Sequence, residues 1–384
     1  MKKALVVLLL LAFTAGGLFA QFSFTGLVQG GVAGRIVGDN DPVFGIMRRA
    51  SAGDGVRIQL GVVANNEEGT AGLNFAFRAD GIGPTTGGGF NNSRPTAQFR
   101  WGYGWVSGLD GMLTAMAGRF AGWEFDPYDT QAAQIGGFVD AFAVVGAIKP
   151  VDMLKIAYGV ATNEGFSSGN WRVIHAIGVG IRVPDVLDVN IASRIGHKLT
   201  DVQASFRVNA LDNIGLKFTA FALGLHDFGN VGAMTFFEEV NLNGLVDNLS
   251  INLLFLQSVN QKATSVKGTD LVFRGWLWAS YAIGNIVPRL DVNYAMGTKY
   301  NWAMGLNENM GVFNGWSYDA FDYNKNYSYM TVGLSCQFRV TASRYFEIGY
   351  ILGADMSNTW YNAFGGNKSG AMAHSFHASV VTSF

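Results

Sequence analysis

The stretch "MAHSFHASVVTSF", Met372 to Phe384, carries the reading of the whole chain. Counting back from its end, Phe384, Thr382, Val380, Ala378 and Phe376 fall on one side of an extended segment. Ser383, Val381, Ser379, His377 and Ser375 fall on the other. One face is mostly apolar and the other mostly small and polar, the period-two pattern of a strand with one greasy side. A terminal strand of this kind needs a neighbour on each edge, because an open edge leaves a row of unpaired backbone groups. The rest of the chain must supply those neighbours.

It does so by repeating the pattern. In "VRIQLGVV", Val56, Ile58, Leu60 and Val62 alternate with Arg57 and Gln59. In "LNFAF", Leu73, Phe75 and Phe77 alternate with Asn74, Ala76 and Arg78. In "QFRWGYGW", Phe99, Trp101, Tyr103 and Trp105 share one face, and Gln98, Arg100, Gly102 and Gly104 the other. Each reads as a strand with one apolar side.

Composition narrows the class. Charged residues are 14% of the chain, against about 25% in soluble domains. Glycine is abundant at 51 residues, aromatics reach 13% and proline is scarce at 7. Low charge with many glycines and aromatics fits a β-barrel whose outer face meets lipid. The net charge of −1 provides no global field for nucleic acid. The lone Cys336 excludes an internal disulfide.

The N-terminus reads as an export signal. Lys2 and Lys3 precede the apolar run "ALVVLLLLAF" and the small residues of "GGLFA", which predicts a signal peptide over residues 1–20, cut near Ala20. No later stretch holds 18 uninterrupted apolar residues, which argues against membrane helices. An exported, moderately apolar chain without such helices is a soluble β-protein or a membrane barrel.

Connections decide between these. Short turns recur at 107–113, 149–155, 183–189, 210–216, 244–250 and 284–290, with 65–70 and 341–344 as less similar members. Longer polar segments lie between them, near 38–54, 81–96, 121–136, 163–170, 225–232, 257–269, 297–328 and 355–371; the short "HKLT" at 197–200 falls where a long loop is due. Eight short turns divide residues 21–384 into nine two-strand units. That predicts an all-β transmembrane antiparallel barrel of about 18 strands, with short periplasmic turns, long extracellular loops and both ends on the short-turn rim. A count of 16 stays open, since 202–209 and 233–243 are short for a crossing.

This layout resembles the bacterial outer-membrane porins, general and substrate-specific. Phe384, an aromatic residue ending an amphipathic strand, resembles the signal read by their assembly machinery. The resemblance implies an outer-membrane location in a diderm bacterium. Lipid and lipopolysaccharide or its equivalent would surround the barrel, small hydrophilic solutes would be its cargo, and a homotrimer its assembly. In general porins the loop after the fifth strand folds inward and sets acids opposite an arginine cluster. Here that loop, "AGWEFDPYDTQAAQIGG" at 121–137, carries Glu124, Asp126 and Asp129, and neighbouring strands carry Arg57, Arg78 and Arg100.

If the apolar sets face lipid, the opposite sets line the lumen: Arg57, Arg78, Arg100, Lys155, Arg172, Arg194, Arg207, Lys217, Arg274, Arg289 and Arg339, against Asp188, Asp291 and Glu347. A charge at the lipid midplane costs about 2–4 kcal/mol, which favours the inward assignment. The excess of cations predicts a passive channel with a weak anion preference. Val56, Phe75, Trp101, Leu253 and Phe376 are expected to face lipid, with Trp101 and Trp105 near the ends of the lipid band. With most aromatics outward, no aromatic slide for sugars is expected.

Chemistry is not indicated. His374 and His377 fall on opposite faces and cannot share a metal, and His226–Asp227 has no nucleophile at a useful spacing. Neither a cofactor nor a metal site is expected, and no catalytic constellation assembles. The alternative reading is a surface protein or adhesin acting through 297–328 and 355–371, where aromatics such as Trp302, Trp316 and Tyr323 gather.

Overall fold

The computed structural model describes residues 20–37, 43–49, 52–54, 56–82, 96–120, 125–130, 141–162, 173–196, 199–211, 213–227, 233–261, 269–297, 327–355, 361–362, 366–367 and 372–384. The signal-peptide reading of 1–20 therefore falls almost wholly outside the described residues, as does nearly all of 297–328 and 355–371.

Eighteen antiparallel strands form the wall. The first nine are β1 (Ala20–Val37), β2 (Val56–Asn66), β3 (Ala71–Ile82), β4 (Thr96–Gly108), β5 (Leu113–Phe120), β6 (Ala141–Val151), β7 (Leu154–Thr162), β8 (Val173–Val183) and β9 (Leu187–Gly196). The rest are β10 (Leu199–Val208), β11 (Gly215–Leu223), β12 (Ala233–Asn241), β13 (Leu249–Gln261), β14 (Thr269–Tyr281), β15 (Ile286–Gly297), β16 (Tyr327–Thr341), β17 (Arg344–Asp355) and β18 (Met372–Ser383). Each pairs with the next, which settles the count at 18. The marginal segments are β10 and β12, of ten and nine residues.

The terminal strand finds both neighbours. β18 pairs with β17 on one edge and with β1 on the other, from Leu27↔Ser383 to Val37↔Ala373. At the short-turn rim Gly26 N–H donates to the Phe384 carbonyl at 2.7 Å, and Phe384 N–H to the Gly26 carbonyl at 3.0 Å. Closure removes every edge, which lipid demands because it cannot satisfy a bare backbone group. Gly26 leaves room for the Phe384 ring: a Cβ there would overlap the ring's far edge and turn it aside.

One element was read from sequence only as loop. Val43–Arg49 pairs with the upper half of β1, and Ala52–Asp54 folds back on it as a hairpin before β2 takes over the same edge of β1 lower down. This insertion raises the wall between β1 and β2 on the long-loop side.

The outer surface is greasy all round. Leu60, Val144, Ile191, Leu334 and Phe376 are all exposed, on strands spread around the ring. An apolar band of this extent marks a membrane surface, and a closed wall of strands is one of the few structures that can span a bilayer. No helix among the described residues is long and apolar enough to cross a bilayer.

Four of the five expected lipid-facing residues do face outward; Trp101 does not. Trp101 lies opposite Ala76 but Phe99 lies opposite Phe77, so Arg100 is an extra residue in β4. This bulge reverses the side-chain parity. Phe99 points out, 41% exposed. Trp101, Tyr103 and Trp105 point inward, opposite the inward Ala76, Asn74 and Gly72.

Candidate functional site: the inward loop and the lumen wall

The inner faces of β6 to β8 are built from small side chains. Ala143, Val145 and Ala147, then Ala157, Gly159 and Ala161, then Ala176, Gly178 and Gly180 alternate with exposed outer residues. Small residues on three adjacent strands leave a trough. Residues 125–130 of the loop after β5 lie in it.

Phe125 is 1% exposed and packs on Gly159 and Gly178, while Pro127 and Tyr128 cover Gly180. A Cβ on Gly178 would stand 2.9 Å from Cα and 3.0 Å from the carbonyl oxygen of Phe125, so glycine is what lets the loop backbone come this close. Tyr128 Oη donates to the carbonyl of Asp152, in the short turn between β6 and β7, at 3.4 Å. β5 ends at Phe120 on the opposite rim. Phe125–Thr130 thus lies well down the bore, toward the short-turn side.

The loop is held by its polar groups as well. Asp126 Oδ1 accepts from Thr130 N–H at 3.0 Å and from Thr130 Oγ1 at 2.8 Å, closing a tight turn. Asp129, at the crest of that turn, has φ +53°, a conformation that Asp tolerates better than most residues. Thr130 Oγ1 meets Ser205 Oγ on β10 at 2.6 Å. Asp129 Oδ2 takes a hydrogen bond from Lys217 Nζ on β11 at 3.1 Å. The Arg182 guanidinium sits 4.3 Å from the centre of the Tyr128 ring, a cation–π contact.

The remaining sequence-derived site residues fall as follows. Arg57 and Arg78 point inward from β2 and β3; Arg57 stands opposite Gln29, and Arg78 Nε donates to Gln59 Oε1 at 3.1 Å. Arg274 points inward from β14, is 2% exposed, donates to Asn293 Oδ1 at 3.0 Å and lies over the Trp276 ring. The side chain of Arg100, and the whole of Glu124 and Arg172, lie outside the described residues. Of the three loop acids, the structure brings Asp126 to Thr130 and Asp129 to Lys217.

Many inward cations hold carboxylates. Asp188, fully buried, accepts from Arg182 at 2.9 Å, from Arg207 at 2.6 Å and from Asn209 at 3.0 Å. Asp201 pairs with Arg194 at 2.6 Å and caps the Gly224 N–H. Arg289 reaches Glu347 at 3.3 Å, and Glu347 also accepts from Gln337 and touches His377. These networks stitch neighbouring strands together on the water side, where the backbone ladder alone does not fix side-chain positions. Asp201 and Glu239 join Asp188, Asp291 and Glu347 as inward acids that the sequence list lacked or contained.

Aromatics also line the bore. Asn74 accepts from Trp101 Nε1 at 3.2 Å and donates to Tyr103 Oη at 3.2 Å, so the two rings are fixed against one wall. Trp276 and Trp278 stack at 6.4 Å on β14, facing inward with Arg274. Most aromatics among the described residues do lie outward, as Phe24, Phe77, Phe142, Phe338 and Phe376 do, but these inward rings were not foreseen. The bulge at Arg100 explains the first set; the second carries the inward parity of Arg274.

Comparison of the architecture with solved structures is informative. OprD from Pseudomonas aeruginosa superposes with a TM-score of 0.52 at 10% identity, covering 94% of this chain and 94% of that one. The fold is that of an outer-membrane porin. OccK8 (OprE) of the same organism gives 0.53 at 10% identity, over 95% of this chain and 98% of its own. OccAB3 of Acinetobacter baumannii gives 0.51 at 8% identity, over 95% and 99%. No protein-family model and no curated protein sequence matches the chain.

Proposed function

We propose that the protein is a passive diffusion channel for small hydrophilic solutes, with a weak preference for anions. The observation that carries this is the seating of Phe125–Thr130 inside a closed barrel, in a trough shaped to hold it. A closed wall of 18 strands leaves an aqueous lumen unless something fills it. A loop pinned along one side narrows that lumen while leaving the opposite wall facing it.

The anion preference follows from the wall's charge. Among the described residues, inward cations (Arg57, Arg78, Lys155, Arg182, Arg194, Arg207, Lys217, Arg274, Arg289, Arg339) outnumber inward carboxylates (Asp126, Asp129, Asp188, Asp201, Glu239, Asp291, Glu347). In a narrow bore the low-dielectric wall focuses such an excess. Salt bridges cancel much of it, which keeps the preference weak.

Single-channel recording in a planar bilayer tests the proposal. Stepwise conductance is expected, with a larger step when residues 125–130 are replaced by a short glycine linker. Folded, inserted protein that gives no steps would refute it.

A further inference from the structure

Two places on the lipid-facing wall share one unusual construction. On β7 and β8, Tyr158 Oη and His175 Nδ1 lie 2.7 Å apart. On β17 and β18, Tyr350 Oη and His374 Nδ1 lie 2.6 Å apart. The rings of each pair are 6.1 Å apart, at 30° and 36°. The register is the same as well: each tyrosine stands opposite the residue two after its histidine, Ile177 in one case and Phe376 in the other. Both histidines are third residues of strands that descend from long loops.

The surroundings of each pair are apolar and outward. Ile177 and Ile195 are exposed beside the first, Phe376 and Met372 beside the second. The proton count then matters. A tyrosine and a neutral imidazole own two polar hydrogens, and the bond between them uses one. Whichever tautomer is present, one donor is left over. A donor on a lipid-facing wall needs an acceptor, and at the depth of a strand end those acceptors are head groups. Protonation of the imidazole would add a second donor and a positive charge.

The two pairs also stand on nearly opposite sides of an 18-strand ring, each near the long-loop end of its strands. We propose that Tyr158–His175 and Tyr350–His374 are two binding sites for the phosphate of a lipid in the leaflet on the long-loop side. Fixing that leaflet at two opposite points sets the height of the barrel and opposes its tilting. The sites lie on the outer wall, so they stand whether or not the lumen conducts.

Native mass spectrometry of the full barrel in mixed micelles with phosphatidic acid or phosphatidylcholine tests this. The wild type should keep phosphatidic acid at collision energies that strip phosphatidylcholine. H175F and H374F should each lose one retained lipid, and the double variant both. Phenylalanine preserves the apolar band, and heat-modifiable mobility on gels confirms that each variant is folded. Equal retention of phosphatidic acid by the folded double variant would overturn the proposal, and so would equal retention of the two lipids by the wild type.

Discussion

Lys217 and Asp129 meet at 3.1 Å although 88 positions separate them. The contact ties the crest of the inward loop to a strand five places round the wall from the strand at which the loop re-enters it. The Asp129 side chain is 79% exposed and that of Lys217 22%, so water screens the pair and it is worth at most about 1 kcal/mol. Its removal should not unfold the barrel. We expect D129A and K217A to leave the thermal midpoint nearly unchanged and to increase open-channel current noise. The double variant should be no noisier than either single one. Noise at the wild-type level in both variants would mean that the pair does not restrain the loop.

Gly178 offers a sharper test of the trough. A side chain there meets the backbone of Phe125, which cannot step aside by a rotamer change. G178L should expel the segment from the wall while the strand itself, extended and inward-facing, keeps its ladder. The expected result is a folded barrel with altered unitary conductance. The matching change on the outer face, Ile177 to Leu, should do nothing, because that position faces lipid.

The bulge in β4 predicts a local exchange of environments. Spin labels at positions 99 and 101 should report lipid and water respectively, and labels at 56 and 57 should do the same. Lipid contact at position 101 would show that Arg100 is not an extra residue.

That reversal marks what the sequence could and could not reveal. Alternation around Val56–Val62 and Leu73–Phe77 fixes a face because the parity is unbroken. In "QFRWGYGW" the alternation looks equally clean, yet the bulge shifts it by one after Phe99. A bulge is set by how two strands pair, which one strand's pattern does not encode. The inward loop was legible only through the resemblance to general porins, which its place after the fifth strand and its acids carry. Its seat was written in the sequence too, in Ala143, Ala157, Gly159, Ala176, Gly178 and Gly180 on inner positions, where a water-facing wall would carry polar residues. The partners Ser205 and Lys217 were not legible, because which strand a loop reaches depends on the curvature of the whole ring.

Phe384 closes the seam with both backbone groups and lays its ring over Gly26. Deleting it removes one rung at the end of a ladder that runs from Leu27↔Ser383 to Val37↔Ala373, so the folded barrel should lose little stability. Assembly is another matter, if the terminal aromatic is what the insertion machinery reads. We expect the deletion to lower the amount of protein reaching the outer membrane several-fold, with a thermal midpoint near wild type for the fraction that arrives. Wild-type abundance in the outer membrane would remove Phe384 from that role.

A weak anion preference is what the inward charges lead us to expect. Arg57 and Arg78 lie on adjacent strands with the hydrogen-bonded Gln59 between their charges, and Arg100 belongs to the next strand. Like charges on neighbouring strands raise the local positive potential, which would favour anions in a water-filled bore. The effect should be modest, because salt screens charge beyond about 8 Å at physiological strength, and because Asp188, Asp201 and Glu347 already neutralise arginines elsewhere on the wall. Replacing Arg57, Arg78 and Arg100 together by alanine should therefore move the reversal potential in a salt gradient toward cations. The corresponding triple lysine variant keeps the charge and should stay near wild type. If the alanine variant keeps the wild-type reversal potential, these three residues do not set selectivity. Arg274 beside Trp276 and Arg289 over Trp278, on the aromatic sector of β14 and β15, would then be the next cations to replace.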